Sequence, residues 1–429
     1  MTASFHSKSA MSDSLVQEIR ETRAAMPRIE AQDAVKAIDR IALLTGGIDK
    51  PYALGSTSAL TAEGVALDFI GSDQVDSPEL HGDARVRFLN LRGDQDPRAG
   101  MAGKIARIFK YYLRLMGYAA TARPKIFHIL WNNKFQVFDR VALMLYYRLL
   151  GKKIVFTAHN VNAGKRDGND SWLNRVSLRV QYALAHHIFV HTERMKEELT
   201  GEFGVNPTKA TVIPFGINNT LPNTTLTPAA AKQALGLEPN HKTLLFFGRI
   251  TPYKGLEYLL EAFEQLVAKD SSYRLVIGGT IKDCQDYWNA LQPVIARFGD
   301  KVIQRIEFIP DDRVEVFFKA ADVFVLPYTD VFQSGVLFLG YSFGLPVIVA
   351  DVGSLRESIV PGKTGFTCTP RSGADLARAT EEYFAGDVYR KLDERRRDIR
   401  AYADERHSWK KVANMTLNVY SQLLKTDTR

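Results

Sequence analysis

Cysteine is almost absent: two in 429 residues, Cys284 and Cys368, far apart and with no C-x-x-C spacing. That excludes a disulfide scaffold and a structural zinc site, and it fits a reducing compartment. No apolar run reaches the ~20 residues that a membrane-spanning helix needs, and no secretory signal pattern is present, so a cytoplasmic protein is expected. No repeat of fixed period occurs, which excludes solenoids and propellers. His, Cys and Asp nowhere cluster at ligand spacing, so no metal site is expected. Acidic residues are scarce in one place: none lies between Pro97 and Phe138. Over the whole chain 56 Lys and Arg face 48 Asp and Glu, a net charge of +8. This suggests an anionic partner, whether nucleotide diphosphate, phospholipid head group or nucleic acid. The 45% hydrophobic and 24% charged content excludes a mainly disordered chain, and the length suits two or three domains.

What is present is a succession of strand, turn and helix patterns, clearest from Ala321 to Gly365. A buried-strand run, Val323 to Leu326, ends at Pro327 and the turn Tyr328-Thr329-Asp330. Gln333-Ser334-Gly335 leads into a helical run, Val336 to Phe343, closed by Gly344-Leu345-Pro346. A second strand, Val347 to Ala350, is followed by Asp351-Val352-Gly353-Ser354, which is expected to start another helix. This order predicts a parallel sheet with ligands at the carboxyl ends of its strands. The turns offer free backbone N–H groups to a phosphate or ribose.

Earlier in the chain, residues 1–35 form an extension with helical composition from Ser14 to Arg28. Strand Ile41 to Leu44, the pair Gly46-Gly47, helix Leu54 to Glu63 and strand Ala66 to Ile70 make a first βαβ unit. The glycine pair is either a tight turn or a place where a substrate meets the backbone. Asp94-Gln95-Asp96 reads as a solvated turn. Ala102 to Tyr118 is a basic amphipathic helix. Its apolar stripe is Ile105, Ile108, Phe109, Tyr112, Leu113 and Met116; Lys104, Arg107, Lys110 and Arg114 line the other side. Such a helix packs on a sheet with its charges solvated, or lies on an anionic membrane surface.

Strands Ile126 to Trp131 and Lys153 to Thr157 flank the helix Phe138 to Leu150. His128, inside the first, reads as a core histidine; His159 and Asn160 lie just past the end of the second. Helix Trp172 to Leu184, strand His187 to His191 and helix Glu193 to Phe203 complete a first domain, 36–217. A linker, 218–240, carries a short helix from Pro228 to Leu235. The second domain, 241–405, adds strands Leu244 to Phe247, Arg274 to Ile277 and Ile306 to Ile309, helix Leu256 to Ala268, and two exposed charged helices, Asp375 to Ala385 and Tyr389 to Arg400. The last segment, 406–429, is helical from about Trp409 to Leu424.

Phe247-Gly248-Arg249-Ile250-Thr251-Pro252-Tyr253-Lys254-Gly255, the G-x-P-V-I element at Gly344 to Ile348, Val352 to Glu357 and Gly362 to Gly365 together resemble glycosyltransferase family 4. The resemblance is close from Lys242 to Pro370 and looser before it. It implies an α/β chain of GT-B fold: two Rossmann-like domains with parallel sheets facing a central cleft, and the last helix crossing back to the first domain. It also implies transfer of a sugar, with retention, from a nucleotide-diphosphate sugar to a glycan or lipid-linked acceptor in bacterial polysaccharide or glycolipid synthesis. Nucleic acid then drops out as a partner. No cofactor or metal is implied, because cations do the work a metal does elsewhere. Peripheral attachment at the inner membrane, through Ala102 to Tyr118, would bring the enzyme to a lipid-linked acceptor.

Carried onto these positions, the resemblance makes Arg249, Lys254 and His159 catalytic, the two cations on the departing diphosphate. Gly248, Gln333, Ser334, Gly335, Val336 and Glu357 become donor-binding, and Gly46, Gly47 and Asn160 acceptor-binding. A solvated Arg and Lys, a structural His159 and a Glu357 that merely stabilises a helix end are the plain alternatives. The family usually carries two glutamates eight positions apart before the G-x-P-V element. Counted from Gly344 those positions hold Val331 and Leu339; counted from Gly335 they hold Phe332 and Gly340. No carboxylate stands in either register, and Gln333 and Ser334 are the nearest polar substitutes. A catalytically silent relative acting as a partner, or a sugar-nucleotide epimerase, therefore stands beside the transferase.

Overall fold

The computed structural model describes residues 38–425, apart from positions 97, 99, 167, 169, 218–220, 282 and 332. The N-terminal extension expected over 1–35 and the head of the linker fall outside the described residues.

The first parallel sheet comprises β1 (Arg40–Leu44), β2 (Ala66–Gly71), β3 (Val86–Asn90), β4 (Ile126–Ile129), β5 (Lys153–Thr157), β6 (His187–Val190) and β7 (Ala210–Val212), in the order β3-β2-β1-β4-β5-β6-β7. The second comprises β8 (Lys242–Phe247), β9 (Tyr273–Gly278), β10 (Val302–Arg305), β11 (Val323–Leu326), β12 (Val347–Ala350) and β13 (Gly365–Cys368), in the order β10-β9-β8-β11-β12-β13. Strands β4, β6, β11 and β12 are buried at every position. Helices cover both faces of such sheets, so these strands read as continuous apolar runs rather than alternating ones.

Each order reverses once, between β1 and β4 and between β8 and β11. Loops leaving a reversal diverge to opposite faces and open a crevice at the carboxyl ends of the strands. Gly46-Gly47 and Trp131 flank the first reversal; Gly248-Arg249 and Tyr328 flank the second.

The helices that position these loops are α1 (Lys50–Ala62), α2 (Met101–Thr121), α3 (Trp172–Leu184), α4 (Glu193–Phe203), α5 (Leu256–Lys269), α6 (Gly335–Ser342) and α7 (Trp409–Lys425). Local chemistry sets several ends. The Thr192 hydroxyl accepts from Met195 N at 3.1 Å to start α4, and Gly204, at φ 68°, closes it. Helix α7 returns to the first domain. Its Val412, Ala413, Leu417 and Tyr420 join Ile41, Leu60, Val155 and Phe189 in one buried cluster, and Trp409 Nε1 donates to Ile217 O at 2.9 Å. The Trp409 indole fills the space between Gly55 and Gly216, where a Cβ would lie 2.2 and 2.4 Å from it.

Several elements depart from the sequence reading. The strand expected at Ile306 to Ile309 is a loop; the strand is Val302–Arg305, earlier and less apolar because it lies at the sheet edge. Gly353-Ser354 does not start a helix but a turn ending in the single 3-10 turn Arg356–Ser358. Strand β3 follows a weakly patterned stretch that gave no strand signal. The helix Pro228–Ala234, expected as part of a linker, packs into the second domain: Ala231, Leu235 and Leu237 join its core, and Lys232 pairs with buried Asp322 at 3.0 Å. Gly373–Ala385 is charged on one face only; Leu376, Ala379 and Tyr383 are buried under α5. His128 is satisfied in the core, 2.6 Å from Tyr420 Oη and 2.7 Å from Thr157 Oγ1.

Candidate active site

The loop after β8 is pressed against the loop after β11. Gly255, at φ 66°, passes so close that a Cβ there would sit 2.1 Å from Pro327 O, which only glycine permits. This approach turns Lys254 inward. Its side chain is 4% exposed, with Nζ over the Tyr328 ring at 5.5 Å and the Phe246 ring at 6.0 Å. No carboxylate pairs with it among the described residues. Burial, and next the charge of Arg249, push its pKa down to about 7. Arg249 itself is exposed.

On the loops after β8 and β11 the structure leaves polar atoms unused. Thr251 Oγ1 and Gln333 Oε1 are buried without hydrogen-bond partners. Ser334 Oγ lies 3.3 Å from Tyr328 Oη. Gly248, at φ 103°, brings bare backbone within reach: a Cβ there would stand 3.1 Å from Lys254 Nζ and 3.7 Å from Val336. Gly335 opens α6 at the surface, with the Phe215 ring of the first domain 3.4 Å from its Cβ position. Buried polar atoms without partners cost free energy, and Thr251 Oγ1 and Gln333 Oε1 stand on the loops that follow the neighbouring strands β8 and β11.

Across the cleft, the first reversal is aromatic. His159 stacks on Trp131 at 4.1 Å and 2°, and the Tyr52 ring meets His159, Trp131, Phe215 and Trp409. The hydrogen bonds assign tautomers. His191 Nδ1 faces Ile213 O at 3.3 Å and must donate to it, so its Nε2 accepts from His159 Nδ1 at 3.1 Å. That leaves His159 Nε2 unprotonated, buried and without a partner. Burial and the neighbouring His191 hold the His159 pKa well below the ordinary imidazole value. His159 is therefore a neutral acceptor, suited to a hydroxyl rather than to an anion.

The remaining predicted residues are less closely joined. The Gly46-Gly47 turn spends its polar groups on the protein: Arg92 donates to Gly46 O, Gln95 to Gly47 O at 3.2 Å, and Thr45 Oγ1 accepts from Gly47 N at 3.1 Å. Asn160 is half-buried beside His159. Glu357 is exposed, on the seam with α4; burial pushes its pKa up, with Arg194 opposing and Glu193 and Glu197 adding. Residues missed by sequence reasoning include Trp131, Phe215 and Tyr328, which meet His159, Phe338 and Lys254 from far away in the chain, and Thr251, whose hydroxyl has no partner among the described residues, so no local spacing marks them.

The two halves meet through Thr192 Oγ1 and Ser354 Oγ at 2.9 Å, Arg194 and Gly353 O at 2.8 Å, and stacked Phe215 and Phe338. Between them lies a cavity of about 340 Å3 lined by Tyr52, Phe215, Gly335, Leu339 and Trp409. Residues 52–221 match the family described as Glycosyltransferase Family 4, and residues 241–385 match Glycosyl transferases group 1. The chain belongs to the group 1 glycosyltransferases.

Relatives and folds agree with this family. A D-inositol 3-phosphate glycosyltransferase of Streptomyces bingchenggensis is 30% identical over 56% of this chain; the match spans little more than half, 54%, of that protein. Sucrose-phosphate synthase from Thermosynechococcus elongatus superimposes with a TM-score of 0.72 at 19% identity, covering 90% of this chain and all of that one. Anabaena HepE in complex with UDP and glucose gives 0.69 at 17% identity, again over 90% of this chain and all of that one. These likenesses establish the two-domain GT-B fold. Within it, the Phe247 to Gly255 motif leaves the carboxyl end of β8 at the second reversal, whereas Gly344 to Ile348 and Gly362 to Gly365 lead into the amino ends of β12 and β13.

Proposed function

We propose that this protein transfers a sugar, with retention of configuration, from a nucleotide-diphosphate sugar to a hydroxyl of a glycan or lipid-linked acceptor. The observation that carries this reading is Lys254: a buried cation with no ionic partner among the described residues, at the second strand reversal, whose two loops also carry Thr251 Oγ1 and Gln333 Oε1 without hydrogen-bond partners. A diphosphate supplies the missing counter-charge. When the bond between the sugar's anomeric carbon and the diphosphate oxygen breaks, negative charge grows on that oxygen, and Lys254 and Arg249 stabilise it. The acceptor oxygen bonds to the same carbon from the same face, and its proton passes to the leaving phosphate. His159 Nε2 accepts from a hydroxyl of the transferred sugar. Ser334 and Val336 at the start of α6, and the Gly335 N–H, border the nucleotide.

We assign this chemistry no cofactor and no metal; addition of a chelator should leave turnover unchanged. The structure with UDP and glucose in HepE makes uridine diphosphate sugars the first donors to try. Screening nucleotide sugars for thermal stabilisation tests the donor site, since a ligand of the folded state raises its apparent stability. Product analysis with an acceptor panel then reads the anomeric configuration. An inverted product would remove the same-face mechanism.

A catalytically silent reading has one observation in its favour: Leu339, in one register of the absent glutamates, is a buried wall of the interdomain cavity. Turnover of any nucleotide sugar, even its slow hydrolysis, separates the two. Sugar isomerisation without an acceptor would indicate an epimerase.

An anionic membrane surface fits α2. Tyr111, Tyr112, Leu115 and Ala119 pack inward, while Met101, Ile105, Phe109 and Leu113 are 73%, 62%, 66% and 56% exposed. The apolar stripe is thus shared between core and surface, and the exposed part has Lys110 and Arg114 beside it. No helix among the described residues is long and apolar enough to cross a membrane.

A further inference from the structure

The amino-terminal half of α2 and the loops after β3 and β4 enclose a cavity of about 250 Å3 to which the transfer reaction assigns no role. Four cations line it, Arg92, Lys104, Arg107 and Lys134, together with Tyr111 and Asn133. Its two carboxylates are already engaged: Asp94 takes Arg107 at 2.7 Å and Asp96 takes Arg98 at 3.1 Å. Arg92 forms no ion pair among the described residues; it donates to Gly46 O and lies over the Tyr111 ring, 5.8 Å from its guanidinium carbon. Lys104 and Lys134 form no ion pair among the described residues. Asn133 is fixed by Tyr111 Oη at 2.5 Å and by Asp139 at 3.1 Å. Cations converging on a recess focus the local potential and favour a compact anion.

The position of this recess matters as much as its charge. Arg92 and Gln95 grip the two glycine carbonyls of the turn after β1. The other side of that turn packs on Trp131, 3.0 Å from the Gly46 Cβ position, and Trp131 stacks on His159. One layer of side chains separates the recess from the crevice.

We infer that the acceptor carries a phosphate, and that Arg92, Lys104 and Lys134 hold it on the far side of the Gly46-Gly47 turn from the crevice. The acceptor assignment rests on the transferase reading above; the phosphate site itself does not. The phosphate can belong to a soluble sugar phosphate or to a lipid head group.

The test uses the full chain and the double variant Lys104→Gln/Lys134→Gln, both lysines being at least partly exposed. Calorimetric titration with UDP, inorganic phosphate, glucose 6-phosphate and glucose is paired with sedimentation on phosphatidylcholine vesicles with and without phosphatidate. The wild type should bind at least one phosphorylated probe more tightly than its unphosphorylated counterpart. The double variant should weaken that binding at least tenfold, with UDP affinity unchanged. Binding of the soluble probes alone assigns a soluble acceptor, whereas phosphatidate binding that inorganic phosphate competes away assigns a lipid one. Equal affinity of the two proteins for every phosphorylated probe, or no preference for phosphate in the wild type, overturns the inference. Failure of the wild type to bind any nucleotide sugar sinks the transferase reading instead, and the phosphate titration still decides the recess.

Discussion

The crevice edge of the second domain buries its cation, whereas the corresponding region of the first keeps its cations within reach of water. Lys254 lies under Tyr328 and Phe246, its pKa pushed down to about 7; Lys104, Arg107 and Lys134 stand around an open recess. A buried charge without a partner is costly, so the second domain is poised for a ligand that brings the counter-charge with it. Exposed charges act at longer range and are screened by salt. On the readings proposed above the two halves would divide the work: short-range stabilisation of a leaving group at the second reversal, and capture of an anion from solution or a surface in the recess of the first domain.

The largest effect that separates the halves should come from the buried side. Lys254→Ala or Arg249→Ala should lower turnover at least ~100-fold, while leaving vesicle and phosphate binding intact; near-wild-type turnover in both variants would show that this crevice does not carry the reaction. Next comes the surface of α2. Lys110→Gln/Arg114→Gln should weaken binding to anionic vesicles by about 2 kcal/mol, at about 1 kcal/mol per charge, or roughly thirtyfold, with wild-type binding falling as salt rises. A wild type that stays in the supernatant at low salt would return the exposed stripe of α2 to another role.

A third difference is in pH. The free-protein pKa of Lys254 is depressed to about 7, and a bound diphosphate favours the ammonium form and raises it. Binding then takes up a proton above pH 7, so UDP affinity should be flat below that point and fall about tenfold per pH unit above it. Phosphate binding in the recess should lack this slope. A UDP affinity constant from pH 7 to 9 would mean that Lys254 does not meet the diphosphate. The smallest effect is at Gln333. Gln333→Ala should weaken nucleotide-sugar binding by about 3- to 10-fold, the equivalent of one hydrogen bond. Its melting midpoint should hold, because the lost Oε1 has no partner in the free protein. Unchanged affinity in a folded variant would place the donor contact elsewhere.

The second domain was the more legible half. Its strands from Val323 to Leu326 and from Val347 to Ala350 are uninterrupted apolar runs, and Gly248, Arg249, Lys254 and Gly255 lie in one contiguous stretch with its own turn chemistry. The first domain hid β3, whose residues are only partly buried, and its catalytic candidate His159 was one strand-end residue without its partners. The α2 stripe was visible, but its division between core and solvent was not, since periodicity gives the faces of a helix and not what covers them.

Sequence alone determined the two parallel sheets, the punctuating glycines and the basic character of α2, because strand burial, turn conformation and charge are local properties. Tertiary structure decided which polar atoms are left without partners, that Lys254 faces Tyr328, that His191 fixes the tautomer of His159, and that Arg92, Lys104 and Lys134 share one recess. Those depend on residues from separate strands and loops meeting at a reversal, and on the close approach of Gly255 to Pro327 that turns the lysine inward.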